Sequence, residues 1–445
     1  MASCPVSAGS AGSTDGGGAR PLAVVVVGGS ICGLAVAHGL LHALPGCKIT
    51  VLERAHHITE GGAGLGLDRE TCAALADWGL AAGLQEASLP LDAEINRAVN
   101  SKTKTAREIY RDDHYDHRSC HWALLHQLLR GALPEGVLLL GHTMTAFESI
   151  DGGRRVRVHV AERAEPLEGD LMVAADGNMS STREKLVGDK RRYAGYVAWR
   201  GVMAADEESK QATEDDAQLG ESKHSGAAAV ARHLQHEYPA LGRALYFDLA
   251  HHTHSVLYML PGTRINWLWY VNQAEPPLSP HSLTVQPDAA QVERMREDAA
   301  RTWTPPMAAL MQATARPFIN AIFDRDPISR WVFDRVVLVG EAAHPVTPHG
   351  LRATNMSIID AHTLARCLKE HLAAGGTARD LDAALDRFQK ARIPVTTQEV
   401  LFSRYLGQLK QGLVTVPGIH DWDGADENQA AVLGQKHMHH FNPLD

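Results

Sequence analysis

Four consecutive valines, Val24–Val27, end abruptly at Gly28-Gly29-Ser30. A short β-branched run bounded by glycines predicts a buried strand. Beyond it Leu34, Val36, Ala37, Leu40 and Leu41 form a helix face, Pro45-Gly46 stops the helix, and Ile49–Leu52 reads as a second strand. Strand, tight turn, helix, strand is a βαβ unit with a right-handed crossover. A Gly-rich stretch follows at 61–66. Residues 70–82 read as a helix with Ala73, Ala74, Leu75 and Trp78 as its apolar face. Trp122, Leu124, Leu125, Leu128 and Leu129 mark another, closed by Gly131 and Pro134. Val156, Val158 and Val160 alternate as a half-buried strand, and Leu171–Ala174 is a buried strand running into Asp176-Gly177.

The texture changes after Tyr196. Residues 206–240 are polar and acidic and read as an insertion or long surface loop. Ala244–Phe247, Ser255–Leu260 and Asn266–Tyr270 predict a mostly antiparallel sheet, with turns such as Pro261-Gly262. An apolar strand returns at Val336–Val339, followed by helices over about 355–372 and 380–411. The Gly-, Ala- and Ser-rich residues 1–20 read as a flexible tail, and the last thirty residues carry no clear pattern.

Composition narrows the function classes. A chain of 445 residues is long enough for two interleaved domains, and its 44% hydrophobic content is that of an ordinary globular protein. A net charge of -9 argues against nucleic acid as a partner. The six cysteines form no Cys-x-x-Cys pair, which fits reduced thiols in a cytoplasmic enzyme better than a zinc site or a disulfide framework. No apolar run is long enough to span a membrane. His114, His117, His121 and His126, and likewise His251, His252 and His254, read as surface or satisfied histidines; no metal is expected. His251–His254 is taken to alternate across a strand. Tyr258, Trp267, Trp269 and Tyr270 are expected to pack the second sheet, with one or two walling a flat substrate.

Two segments some three hundred residues apart carry the candidate chemistry. In the first, Gly28 suits a tight turn, Gly33 close helix–strand packing, and Ser30 stands where a G-x-G-x-x-G turn has its middle glycine. Glu53, 25 positions after Gly28, ends the second strand, where a carboxylate accepts ribose hydroxyls. Alone, this half leaves NAD and FAD evenly matched. In the second, Val336–Val339 leads into Gly340-Glu341-Ala342-Ala343-His344, then Pro348 and a helix starting near Ala353–Asn355. Such a helix N-terminus stabilises negative charge on the N1/O2 edge of a reduced flavin, with Glu341 placed for ribityl hydroxyls. The pair points to FAD.

These motifs, with Asp176-Gly177-Asn178-Met179-Ser180-Ser181-Thr182-Arg183 between them, resemble the FAD-dependent aromatic hydroxylases of the para-hydroxybenzoate hydroxylase-like group over about residues 22–370. Gly28-Gly29-Ser30, Tyr193–Gly201, Trp122 and Pro348-His349 most resemble the 2,6-dihydroxypyridine 3-hydroxylase-like branch. The resemblance implies an α/β fold: a Rossmann-like FAD-binding domain (21–80, 110–195 and 331–375) interleaved with a smaller, mostly antiparallel substrate domain (81–109 and 196–330). C-terminal helices and a tail (376–445) follow. It implies Gly28, Ser30, Ile31, Gly33, Glu53, Arg54, Trp122, Asp176, Glu341, Pro348, Arg352, Ala353, Thr354 and Asn355 at the FAD. It implies NADPH or NADH as a transient co-substrate, oxygen activated as a C4a-hydroperoxyflavin, and a small aromatic or heteroaromatic substrate. His349, Arg200 and Tyr258 are the candidates for assisting ring deprotonation. A homodimer is admitted as a partner state. Glu341 stands where the group has Asp, Arg352 where some members have Lys or Gln, and Ala353 where it has Gly, so its Cβ is expected to crowd the flavin or require an altered backbone angle. The alternatives are a flavin-dependent epoxidase and an FAD-fold binding or regulatory protein with impaired oxygenation.

Overall fold

A computed structural model describes residues 20–58, 63–205, 225–279 and 282–414. Most of the expected N-terminal tail, the last thirty residues, Gly61-Gly62 and 206–224 lie outside the described residues.

The apolar runs assemble as their periodicity predicts. Ala23–Val27 lies between Lys48–Glu53 and Leu171–Ala174 in a parallel sheet, and Val336–Leu338 pairs parallel with Leu171–Ala174. Leu138–Leu140 extends one side, while Val332–Phe333 closes the other as an antiparallel edge. The Ile31–Ala43 and Arg352–Ala373 helices pack together beside this sheet. The two candidate segments, distant in sequence, are thereby only one strand apart.

Among the described residues the second sheet has eight strands, and its only parallel pairing is Ala93–Val99 with Ala244–Ala250. Alternation along these strands sorts side chains to opposite faces. Trp199, Trp267, Trp269 and Leu257 join one core with Trp303 and Leu310 from the Ala289–Thr302 and Pro305–Ala313 helix region. Ala198, Tyr258, Leu268 and Tyr270 face the other way. A small antiparallel sheet of Gly64–Asp68, Ser88–Leu91 and His117–His121 sits between the large ones. Among the described residues no helix is long and apolar enough to cross a membrane.

Several local expectations are corrected. The helix expected over 70–82 is two, Arg69–Asp77 and Ala81–Glu86, because Gly79 takes φ 81° between them. Ala73 is exposed, leaving Ala74 and Leu75 as the buried positions. Within the acidic stretch read as a loop, Ser225–Glu237 is a helix. Ala227, Val230, Ala231 and Leu234 supply its apolar stripe, a helical period inside polar composition. The Gly64–Gly66 part of the Gly-rich stretch, given no element in the sequence, forms strand. His251 and His252 occupy a turn, with His252 at φ 54°; only His254 of that trio lies in a strand.

The first turn depends on bare α-carbons. Gly28 has φ 108°, and a Cβ on Gly33 would stand 1.8 Å from the Gly28 carbonyl oxygen. Gly33→Ala is therefore expected to lower stability by about 3 kcal/mol or more, read as the midpoint of urea unfolding. Gly131→Ala, which adds a Cβ with nothing within 4 Å, serves as its control and stays within about 1 kcal/mol of wild type.

Candidate active site

Three of the long helices begin without a side-chain cap, and in two of them the first turn also lacks an acid. Ser30 precedes Ile31–Ala43 and Leu351 precedes Arg352–Ala373; neither caps its helix, and neither first turn holds an acid. The Arg69–Asp77, Trp122–Gly131 and Ala289–Thr302 helices are capped by Asp68, His121 and Asp288. Uncapped N-termini keep free N–H groups and partial positive charge for an anion. The Ser30 and Leu351 ends both belong to the segments that suggested FAD.

At the first, Ser30 is exposed and Ile31 buried. The Gly29 N–H donates to Glu53 Oε2 at 2.9 Å and the Ala55 N–H to Oε1 at 2.8 Å. Glu53 thus shapes the turn, and each oxygen retains a lone pair for a hydroxyl. Arg54 is exposed beside it. His126 Nε2 donates to the Gly29 carbonyl at 2.9 Å, and Trp122 stacks on His126 with ring centroids 4.8 Å apart. Bare glycines, free N–H groups and a hydroxyl-accepting carboxylate fit a dinucleotide pyrophosphate and ribose.

The Asp176-Gly177 turn is self-contained. Asp176 accepts from Ser180 Oγ, the Thr182 N–H and Thr182 Oγ1. Arg183 is fully buried, pairs with Asp189, and donates to the Ala343 and Asp326 carbonyls. It braces this turn against the Gly340–His344 segment. That segment is held by Asp360, which accepts from the Gly340 N–H and Arg392 Nε and lies 2.6 Å from His344 Nε2. Burial pushes the Asp360 carboxyl up, but His344 and Arg392 outweigh it and hold it below the ordinary range.

A cavity of about 300 Å³ opens between the two large sheets. Eight of the candidate cofactor and catalytic residues line it, Arg200, Tyr258, Glu341, Pro348, His349, Arg352, Ala353 and Thr354, and so does Tyr270, expected as a substrate wall. Asn355, Asp176, Trp122 and the Gly28–Arg54 group do not. Arg352 and Asn355 act within the protein, because Arg352 pairs with Asp68 and Asn355 bonds the Gly66 and Leu351 carbonyls. Ala353 sits inside the helix and packs on Val346, Met356 and Val400. The altered backbone angle expected of it falls on Leu351 instead, at φ 57°. Burial raises the half-buried Glu341 carboxyl, opposed by His344 and an Asn178 hydrogen bond.

The substrate-side candidates differ in state. Arg200 donates to the Gly64 carbonyl at 3.2 Å and to Asn320 at 3.4 Å, both neutral, and among the described residues Arg200 Nε has no partner. Burial lowers its pKa, opposed by Tyr258 and Tyr270. Tyr258 lies over Gly64, where a Cβ would meet its hydroxyl at 2.4 Å. Burial raises the Tyr258 phenol and pushes Tyr270 up to about 12, so both are hydrogen-bonding phenols rather than bases at neutral pH. His349 is buried with Nε2 2.8 Å from Tyr196 Oη. His254 and Tyr270 also line the cavity, although the sequence reading gave His254 no role. The signal was available: 254, 256 and 258 share one face of a strand. Among the described residues no His, Cys, Asp or Glu cluster is arranged to hold a metal.

A family model described as an FAD binding domain matches residues 21–403. The chain belongs to the FAD binding domain family. A 3-amino-4-hydroxybenzoate 2-monooxygenase from Streptomyces platensis is 29% identical over 384 residues, covering 83% of this chain and 84% of the relative. A 6-hydroxynicotinate 3-monooxygenase from Pseudomonas fluorescens is 28% identical over 353 residues, covering 78% and 82%. The solved structure of 2,6-dihydroxypyridine-3-hydroxylase from Arthrobacter nicotinovorans shares the fold with a TM-score of 0.71 at 21% identity, covering 91% of this chain and 97% of that one. The resemblance to FAD-dependent aromatic hydroxylases therefore holds, as does the interleaved α/β architecture it implied.

Two outcomes follow. Burial, then the neighbouring positive charges, lower the pKa of His254 and His349 below 6.5 in the fold. Below pH 6.5 the unfolded chain binds more protons, so their stabilising contribution is complete above that pH and is lost as pH falls. Thermal melts from pH 7 to 5 are expected to show a declining Tm, each histidine contributing up to about 1.4 kcal/mol per pH unit, with His254→Gln removing its share. Ala353→Gly is expected to lower stability by about 1 kcal/mol in the same melts without tightening FAD binding, since Ala353 is already helical.

Proposed function

We propose that this chain is an FAD-dependent monooxygenase that uses NADPH or NADH and O₂ to hydroxylate a small aromatic or heteroaromatic ring carrying an anionic group. The observation that carries the anionic preference is Arg200, a cavity guanidinium with no carboxylate partner among the described residues. A half-buried cation without a counter-charge is costly, and a carboxylate or phenolate on the substrate supplies that charge. The cavity volume suits one or two fused rings better than a long chain. Its polar anchors Arg200, Tyr258 and His349 favour hydroxylation over epoxidation of an apolar alkene.

Bound FAD supplies the hydride acceptor and the oxygen-activating centre. In this reading Gly28, Ser30, Ile31, Gly33, Glu53, Arg54 and Trp122 hold its adenosine and pyrophosphate side. Asp176 supports the fold around it. Glu341, Pro348, Arg352, Ala353, Thr354 and Asn355 form the isoalloxazine side, directly or by shaping the 351–355 turn. Tyr258 donates a hydrogen bond to the ring substituent, and His349 is oriented by Tyr196. The first sheet and its helices serve as the FAD-binding domain (21–80, 110–195 and 331–375). Residues 81–109 and 196–330 serve as the substrate domain, and 376–445 as the C-terminal helical region and tail, in a cytoplasmic enzyme.

The purified protein should be yellow and should oxidise NAD(P)H faster when hydroxylated benzoates or nicotinates are added, with little hydrogen peroxide released. A colourless protein that takes up no FAD refutes the proposal. Arg200→Met should raise KM for carboxylate-bearing rings by about 10- to 100-fold while FAD content stays unchanged.

A further inference from the structure

His254 is fully buried in the cavity wall, and among the described residues its Nε2 has no hydrogen-bond partner. Its Nδ1 lies 3.0 Å from Gln411 Oε1, just past the end of the Asp382–Lys410 helix. The polarity of that contact is dictated from outside. Asn272 Nδ2 reaches the Gln411 backbone carbonyl at 2.8 Å, and a carbonyl only accepts. Asn272 Oδ1 therefore faces Gln411 Nε2, at 2.9 Å, as the acceptor. This turns the Gln411 amide so that its oxygen, not its nitrogen, meets His254. Nδ1 must then carry the proton.

Burial first, then His349 and Lys410, keep the ring neutral against the Gln411 hydrogen bond, which favours its protonation. Tyr270 stacks on it at 4.3 Å, His349 lies at 5.0 Å, and Lys410 adds positive charge from the helix end, partly offset by Glu94. A neutral imidazole protonated at Nδ1 has a bare lone pair at Nε2. That atom lacks a partner among the described residues, in the wall where a ring substituent would bind.

We infer that Asn272 and Gln411 are positioning residues that hold His254 as the Nδ1–H tautomer, leaving Nε2 as the hydrogen-bond acceptor for the ring O–H or N–H of a bound substrate. The substrate half of this inference rests on the proposed function; the tautomer does not.

Ring-nitrogen NMR of FAD-loaded protein carrying ¹⁵N-histidine tests the tautomer, with His254 assigned from the signals missing in His254→Gln. The expected spectrum has a protonated Nδ1 and a bare Nε2; a protonated Nε2 overturns the inference. Gln411→Met removes the acceptor and should shift the His254 signals towards the other tautomer, whereas Gln411→Glu, which restores an acceptor, should retain them. Unchanged signals in Gln411→Met overturn the positioning role. Binding of 6-hydroxynicotinate and 6-methoxynicotinate, followed by flavin absorbance, tests the acceptor. Wild type should favour the hydroxylated ring, and Gln411→Met should reduce that preference about tenfold. Equal affinities in wild type, or binding of neither ring, overturn the acceptor role. Because the spectrum needs no turnover, it stands even where the failure of every ring to stimulate NAD(P)H oxidation refutes the proposed function.

Discussion

The cavity exists because one short strand, Gly64–Asp68, is fastened at both ends. At its start the Gly64 N–H donates to Asn266 and its carbonyl accepts from Arg200, both on the eight-stranded sheet. At its end Asn355 bonds the Gly66 carbonyl and the Asp68 N–H, while Asp68 pairs with Arg352. Asp68 also caps the following helix through the Thr71 N–H. Two large sheets with separate cores are thus held a fixed distance apart, with a gap between them. Gly64 lets Tyr258 lie directly against the strand.

Buried charge is distributed unevenly around that gap. On the cofactor side every buried ion has partners. Arg183 is shared among Asp189 and three carbonyls, and Asp360 among His344, Arg392 and a backbone N–H. Such satisfied networks set geometry more than they add stability, because the attraction largely offsets desolvation. Arg200 is the contrast, with neutral acceptors only. Among the described residues the buried Arg97, Arg183, Arg325, Arg335, Arg352 and Arg392 each have a carboxylate partner, and a cavity guanidinium without one is arranged for a ligand to supply it.

Legibility in the sequence followed locality. The Ala23–Val27 strand, the glycine turn and the Ile31–Ala43 helix were readable because period and turn chemistry act over a few residues. So were the alternating Val156, Val158 and Val160, and the two C-terminal helices. Composition misled where it hid a period: the acidic surroundings of Ser225–Glu237 masked Val230 and Leu234. His254 was passed over beside His251 and His252, because spacing alone does not tell a turn from the strand that follows it. Arg352 and Asn355 were readable as important but not as staples, since Asp68 and Gly66 are nearly three hundred residues away.

The sequence by itself determined most of the strands, the glycine turn and the FAD class of the chain. These depend on backbone sterics and on short spacings that any fold of this chain must obey. Only the tertiary structure decided which of those residues meet in one cavity, which carry charge without a partner, and which way a buried imidazole is protonated. Those properties arise from burial and from hydrogen-bond chains closed across long sequence separations, such as Asn272 to Gln411 to His254. No local pattern encodes the direction of such a chain, because it is set by a backbone carbonyl supplied from the far end of the protein.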